Sequence, residues 1–539
     1  MPEIEITGLC ASAGLACGEI IEIAERQITR ETRGTPAEEA QVLRDAMERA
    51  GEQLQELMES SDDASAEIIE FQLAFVMDNE LSAPAFAAIR EGTPAHDAWN
   101  AALADEMAGY RDSEDEYFRA RLSDINDLRQ RVLTCMAGTG SSTEKHPPGS
   151  ILFASDLAPS VFLSLDWSNG GAIVLSAGSP NSHLAMLARS RGVPMIVGAQ
   201  WTAPLPKGQQ ALVDAQKGSI VVGPQRSTLD AFSGRLADAQ TLAAAARLAS
   251  SKPAVSKNGH PVRVNINIAS PDELDGLDPA QCDGIGLVRT EFLFEGKTGF
   301  PDEDAQYEIY RKMVTWADGR PVVIRTLDAG ADKPLPGLTI DGESNPFLGI
   351  RGIRLSLARP DIFRVQLRAL LRAAVHGELR IMLPMVTTPE EITTVGEMLD
   401  EECANLAAAG IAARRPPLGI MIEVPATAIA IDLYPADFYS IGSNDLTQYV
   451  MAAARDNRAL THLLDPVHPA MLRLVEQVVR HGERSERSVS LCGEAGADTT
   501  ALPRLLQTGL RSISVSPAAV GRVKVAIGDL DIPAPQGKE

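Results

Sequence analysis

The sequence predicts a multidomain α/β protein: a (β/α)8 barrel, a small α/β domain, and a helical bundle inserted into that domain. Three observations predict it. Between residues 262 and 516, eight short apolar runs alternate with stretches of helical spacing. Between 36 and 136, apolar residues recur every three or four positions with charges between them. Short strand-like runs flank that stretch on both sides.

In chain order, residues 3–24 alternate apolar and polar side chains with glycines and read as strands. Leu43, Met47, Ala50, Leu54 and Leu57 then set a helical period, which continues through 68–77 and 117–133. The stretch GTGSSTEKHPPGS (138–150) reads as a linker. Strand-like runs return at 151–154, 172–175, 195–197, 211–214 and 219–222. The polar, Ala-rich stretch 228–250 reads as a connecting helix ended by Ser251-Lys252-Pro253. The domains predicted are 1–25 with 145–225 (α/β), 26–144 (helical), 226–255 (linker helix) and 256–539 (barrel). The barrel strands are VRVNINI (262–268), GIGLV (284–288), PVVIR (321–325), LRIMLPM (379–385), LGIMIEV (418–424), FYSIG (438–442), SVSLCG (488–493) and SISVS (512–516).

Composition narrows the function. The chain has 539 residues, 45% hydrophobic and 23% charged, with a formal net charge of −24. That charge speaks against a nucleic-acid surface and suits a basic protein partner. A small anionic ligand would need arginines gathered locally against this field. The start, MPEIEITGLC, lacks a basic region and a long apolar core, so no signal peptide is expected. With no apolar run of about 18 residues, no membrane span is expected. Six scattered cysteines form no CxxC pair, so neither a zinc site nor a disulfide framework is suggested, and the cytoplasm is the expected compartment.

Barrels of this class place reactive groups at the C-terminal strand ends. There the sequence offers Arg289-Thr290-Glu291, Arg325 with Asp328, Met385, Glu423, Ser443-Asn444-Asp445 and Cys492-Gly493-Glu494. Arg289 and Arg325 are forks for carboxylate or phosphate oxygens, and Asn444 and Arg455 complete an anion clamp. Glu423 and Asp445 are hard oxygen ligands suited to one Mg2+ that keeps positions for substrate oxygens. A lone arginine is more often a surface ion pair; the convergence of arginines and carboxylates on strand ends favours a site. Cys492 is either a buried apolar residue or an acid–base group. In NPFLGIRGIR, Arg351 and Arg354 lie three apart, so the spacing puts them on one helix face. Arg354 either reaches a transferred phosphate or only holds its loop. Asp332 and Lys333 belong to the same polar region.

A second candidate lies in SAGSPNSHLAMLARSRGVPMIVG (176–198). His183 stands where a small-residue loop meets a helix start, whose free N–H groups and partial positive charge suit phosphate. Read alone, it is more often a surface histidine near a cap.

GIGLVRTEF, VIRTLDAGADK, NPFLGIRGIR, MLPMV, IMIEVPA, IGSNDLTQY and LCGEAG resemble the phosphoenolpyruvate-binding barrel of enzyme I of the bacterial sugar phosphotransferase system. SHLAMLARSRGVPMIVG is similar to that family's swivelling phosphohistidine domain. FQLAFVMDNEL and DEYFRARLSDINDLRQRVL resemble its docking region for the phosphocarrier protein HPr. The resemblance covers nearly the whole chain. It implies that phosphoenolpyruvate donates its phosphoryl group to His183, releases pyruvate, and that the group passes on to a histidine of HPr. It implies Mg2+ on Glu423 and Asp445, and substrate on Arg289, Arg325, Asn444 and Arg455. It further implies protonation of the enolate carbon by Cys492, support of the phosphohistidine by Arg189, and a homodimer formed through the barrel.

The sequence also departs from the family pattern. Gly178-Ser179-Pro180-Asn181-Ser182 replaces Gly-Gly-x-Thr-Ser, Pro159-Ser160-Val161-Phe162 replaces Pro-Ser-Glu-Thr, and Ala454-Arg455-Asp456-Asn457 replaces Asp-Arg-Gly-Asn. The tail after the eighth strand is short, which bears on dimer strength. Pyruvate phosphate dikinase and phosphoenolpyruvate synthase share the barrel and histidine domain, but the ATP-binding domain they need is not expected here. The alternative is a catalytically degenerate regulatory homologue that binds phosphoenolpyruvate or HPr.

Overall fold

The structure is a computed structural model that describes residues 3–23, 34–59, 63–111, 122–137, 147–180, 182–201, 205, 208–294, 300–331, 335, 337–339, 342–455 and 457–534. Of the residues singled out above, Asn181, Asp332, Lys333 and Asp456 lie outside these, as do 117–121 of the third helical stretch and 138–146 of the linker. The chain divides into two compact units, 1–240 and 241–539.

The first unit opens with β1 (Ile4–Thr7), β2 (Leu9–Ser12) and β3 (Leu15–Ile23). Five helices follow: α1 (Pro36–Glu59), α2 (Asp63–Met77), α3 (Asn79–Arg90), α4 (Ala95–Arg111) and α5 (Leu122–Met136). The chain then returns to β4 (Ile151–Ala154), α6 (Pro159–Ser164), β5 (Ala172–Leu175), α7 (His183–Ser190), β6 (Met195–Val197), β7 (Gln210–Asp214) and β8 (Ser219–Val222). One sheet runs in the order β1-β8-β7-β3-β4-β5-β6-β2. Its centre, β3 to β6, is parallel, and its flanks are antiparallel. β4 (ILFA) and β5 (AIVL) are buried along their whole length, so they read as continuous apolar runs.

The inserted bundle buries the stripe seen in the sequence: Leu43, Ala50 and Leu54 of α1 pack with Ile69, Ile89, Trp99, Leu103, Ile125 and Leu128. A buried carboxylate joins bundle and sheet domain. Asp127 of α5 accepts the Ser160 N–H (3.3 Å) and Oγ–H (2.8 Å) from α6, and Gln72 Nε2–H (3.1 Å) from α2. Buried polar groups of this kind are tolerated because they are bonded.

Helix α8 (Arg226–Ser250) leads into the second unit. There β9 (Ala254–Val255) forms a short hairpin with β10 (Pro261–Ile268). Next come β11 (Ile285–Val288), α9 (Glu303–Trp316), β12 (Val322–Arg325), α10 (Ile353–Ala358), α11 (Pro360–Ala373), β13 (Leu379–Leu383) and α12 (Pro389–Ala408). They are followed by β14 (Leu418–Ile422), α13 (Pro425–Ile429), β15 (Phe438–Ile441), α14 (Ser443–Met451), α15 (Pro469–Ser485), β16 (Ser488–Leu491), α16 (Leu502–Gln507), β17 (Ser512–Val515) and α17 (Val520–Gly528). Strands β10 to β17 are all parallel, and β10 pairs with both β11 and β17, so the sheet closes into an eight-stranded barrel. These are the eight runs read from the sequence. Leu287, Val323, Met382, Met421, Phe438 and Cys492 fill the interior. Outside, α11 turns Phe363, Leu367, Leu370 and Leu371 inward, while Glu303 of α9 takes Arg368 and Arg372 of α11 at 2.5 Å each. A closed barrel of this kind fixes eight strand ends around one mouth.

Candidate active site

The mouth is built from paired charges. At the end of β12, Arg325 is 5% exposed. Its Nη2 meets Glu291 Oε1 at 2.8 Å and its Nη1 meets Asp328 Oδ2 at 3.0 Å. Its buried Nε has no partner among the described residues. Burial opposes the charge, but Glu291, Asp328 and Glu423 outweigh it and hold the guanidinium above the usual arginine range. Arg289, one residue past β11, is exposed and forms no ion pair among the described residues. One arginine is therefore locked in place and the other is open to an incoming anion.

Arg351 is the centre of the cluster. It is 1% exposed. Its Nε and Nη2 donate to the two oxygens of Asp328, both at 3.1 Å, and its Nη1 and Nη2 donate to the two oxygens of Asp445, both at 3.2 Å. Asp445 thus sits in the first turn of α14 with a bidentate guanidinium already on it, and Arg455 Nη1 lies 3.7 Å away. The sequence expectation chose Arg354 and put both arginines on one helix face. The structure separates them. Gly352 takes φ +58°, which favours glycine, and α10 begins only at Ile353. Arg351 therefore stays outside the helix and enters the mouth. Arg354 donates to Leu348 O (3.2 Å), Gly349 O (3.0 Å) and Thr387 Oγ1 (2.8 Å), so it holds its loop, the second of the two readings.

Glu423 follows β14 and is fully enclosed. Its Oε1 accepts the Met385 N–H at 2.7 Å. Met385 adopts φ +56°, a strained conformation for a non-glycine residue, and this turns its amide towards the carboxylate. Burial, then repulsion from Asp328 and Asp445, pushes Glu423 up to about 8. Two such carboxylates suit a hard divalent cation that takes few protein ligands and keeps positions for substrate oxygens and water. Among the described residues no group of three or more His, Cys, Asp or Glu side chains is placed to hold a metal ion.

Cys492 closes the floor of the mouth at 5% exposure. Its thiol donates weakly to Ile441 O at 3.7 Å. Burial pushes it up to about 11, and the Ser440 hydroxyl, Arg325 and Arg289 only partly oppose this. The thiol is therefore neutral at pH 7. Asn267 Nδ2 fixes the Cys492 carbonyl at 2.9 Å, and Asn444 Oδ1 accepts the Glu494 N–H at 3.0 Å. The sequence shows Glu291 and Asp328 only as polar residues at strand ends and does not single out Asn267; their partners fix their place.

In the first unit, His183 is the first residue of α7, and the Ser182 hydroxyl caps the helix by accepting the Ala185 N–H at 3.3 Å. Of His183 only the backbone is described. Arg189 reaches back along the helix, and its Nη1 donates to Pro180 O (2.8 Å) in the preceding loop and to Ala11 O (2.7 Å) in β2. Phe162, where the family pattern has threonine, is buried between the Trp167 ring (5.3 Å) and the Arg191 guanidinium (5.8 Å).

Comparison with known proteins agrees with this organisation. The PEP-binding domain of PEP-utilising enzymes matches residues 243–532, the mobile domain of those enzymes matches 146–218, and their N-terminal domain matches 7–121. Phosphoenolpyruvate-protein phosphotransferases of Priestia megaterium and Listeria innocua are each 35% identical over 98% of this chain and 94% of their own length. That of Bacillus subtilis is 34% identical over the same shares. On these matches, the chain belongs to the phosphoenolpyruvate-protein phosphotransferase family, the enzymes I, among the PEP-utilising enzymes.

Proposed function

We propose that this protein moves the phosphoryl group of phosphoenolpyruvate first to a nitrogen of its own His183 and then to a histidine of HPr or an HPr-like domain. One observation carries the reading: a single barrel mouth holds an open arginine, two locked arginines, four buried carboxylates and a neutral buried thiol. That set matches a small, multiply charged enol phosphate whose leaving group is an enolate.

In this mechanism Arg289, Arg325, Asn444 and Arg455 hold the substrate's carboxylate and phosphoryl oxygens, with Arg351 added to the set by its place between Asp328 and Asp445. Glu423 and Asp445 are the residues that would hold Mg2+, which when bound would draw charge from the phosphoryl oxygens. The bridging P–O bond breaks as the N–P bond to His183 forms, and its electrons pass to the enolate of pyruvate. Cys492 gives that enolate a proton at carbon, and pyruvate leaves. Phosphoryl transfer rests on alignment and charge neutralisation, which prebuilt pairs supply without reorganisation. Arg189 and the α7 N-terminus favour the anionic phosphohistidine. The inserted helical bundle is the carrier's docking domain, and the barrel forms a homodimer. The protein works in the cytoplasm; among the described residues no helix is long and apolar enough to cross a membrane.

Phosphorus-labelled phosphoenolpyruvate with Mg2+ tests this on wild type and His183→Ala, with and without HPr. Label that is acid-labile, alkali-stable, absent from the variant and chased onto HPr is the result expected. No label on the wild type overturns the reading in favour of a regulatory homologue.

A further inference from the structure

The opposite, N-terminal face of the barrel carries a second group of arginines that the catalytic reading does not use. Between the starts of β13, β14, β15 and β16 lies an open bowl of about 790 Å3. Its wall includes Arg380, Arg415 and Arg487, with Asp437, Glu486 and Ser488. Its floor is the Phe438 ring, which plugs the barrel from below. The plug fits because β14 has glycine beneath it: a Cβ at Gly419 would lie 2.5 Å from the ring.

The charges in this bowl are unevenly matched. Asp437 is already engaged, by Arg487 Nη1 at 2.9 Å and by the Leu418 N–H at 2.9 Å. Arg415 pairs with Asp400 at 2.6 Å. Arg380 has no carboxylate within ion-pair distance among the described residues. Its one hydrogen bond runs from Nη1 to Ser488 Oγ at 3.4 Å, its Nε is buried without a partner, and its guanidinium lies over Phe438 at 5.8 Å. In a chain with 73 acidic residues against 49 basic ones, an arginine left without a counter-charge in a cavity is a place where an anion gains. A ring under a guanidinium also holds the fork in one plane.

We propose that this bowl binds a small dianion, a phosphate ester or a dicarboxylate, on Arg380 and Arg487, at a site separate from the catalytic mouth. The open, polar shape suits a hydrated ligand of a few heavy atoms rather than an apolar one.

The test is calorimetric titration of the full chain with inorganic phosphate and, separately, with malonate, at fixed ionic strength. The wild type, Arg380→Met and Arg487→Gln are compared. A parallel assay reads phosphate inhibition against phosphoenolpyruvate, which reports only the mouth. The result expected is a binding event that persists when the mouth is saturated and weakens about tenfold or more in Arg380→Met. The inhibition constant in the parallel assay stays unchanged. The tighter of the two probes names the ligand class. Arg487→Gln, an exposed substitution, gives the same weakening and serves if Arg380→Met does not fold. Absence of binding by both anions, binding that phosphoenolpyruvate abolishes, or unchanged affinity in both variants overturns the proposal.

Discussion

The barrel mouth and the start of α7 are both suited to phosphate, yet they are built in opposite ways. At the mouth, four carboxylates and two arginines are buried and interlocked: Arg351 alone makes four bonds to two aspartates, and Arg325 spans Glu291 and Asp328. At the helix start, the device is one serine cap, one arginine turned back on two backbone carbonyls, and an eight-residue helix. The first arrangement is preorganised and stiff, as electrostatic catalysis requires. The second supplies only a helix end and one neighbouring cation, which suits a group that must be presented to more than one partner. On the proposed mechanism, charge is concentrated where the bond breaks and kept light where the group is carried.

The largest effect separates the two regions completely. His183→Ala is expected to abolish incorporation of labelled phosphate while leaving phosphoenolpyruvate binding at the mouth intact, and to change stability by no more than about 1 kcal/mol, since alanine is a good helix former at a first helical position. Equilibrium binding and thermal unfolding read the second half. If the variant also lost phosphoenolpyruvate binding, the division of labour between the two regions would fail.

Arg351→Met is the next largest. It leaves Asp328 and Asp445 buried without their shared guanidinium, which costs about 3–5 kcal/mol when one partner of a buried pair is removed. Urea unfolding followed in the barrel should show that loss, together with a fall in turnover of two orders of magnitude or more. A loss below about 1 kcal/mol would mean that the cluster is not the stiff element described here.

The eight barrel strands were legible because a strand buried on both faces, such as LRIML or LGIMI, must be apolar throughout, and turns bound it on each side. Arg289, Arg325, Glu423, Asp445 and Cys492 were legible because the strand-end rule needs only a correct strand end. Arg351 was not, because a spacing of three signals a shared helix face only if the backbone between is helical, and Gly352 at φ +58° breaks it. Nor could the sequence show that Met385 would turn its amide to Glu423. Both misses lie in backbone reversals, where side-chain pattern carries least information.

Cys492 sharpens the comparison in a different way, since its role depends on staying neutral. Its folded thiol lies near 11 against an ordinary 9.0. The stabilisation from burying the neutral form is fully present below pH 9 and is lost as pH rises through about 11. Mass spectrometry after iodoacetamide treatment at pH 8 should find exposed Cys10 modified well before Cys492. Cys492→Ala should retain phosphoenolpyruvate binding and lower pyruvate formation by about 10²–10⁴-fold, the usual reach of one general acid. Rapid alkylation of Cys492 at pH 8 would contradict the neutral thiol.

The smallest effect belongs to Arg354, and it is the sharpest control because it lies three residues from the largest one in the barrel. Its three bonds go to Leu348 O, Gly349 O and Thr387 Oγ1, at a partly exposed position. Water can replace a guanidinium on exposed carbonyls, so Arg354→Ala should cost about 1 kcal/mol and reduce turnover only a few-fold through a looser loop. Two arginines in one decapeptide would then differ by orders of magnitude in effect, for a reason that lies in one backbone angle between them. If Arg354→Ala instead stopped phosphoryl transfer while leaving stability unchanged, Arg354 would have to reach the phosphoryl group in a conformation other than this one, and its role as a loop staple would be wrong.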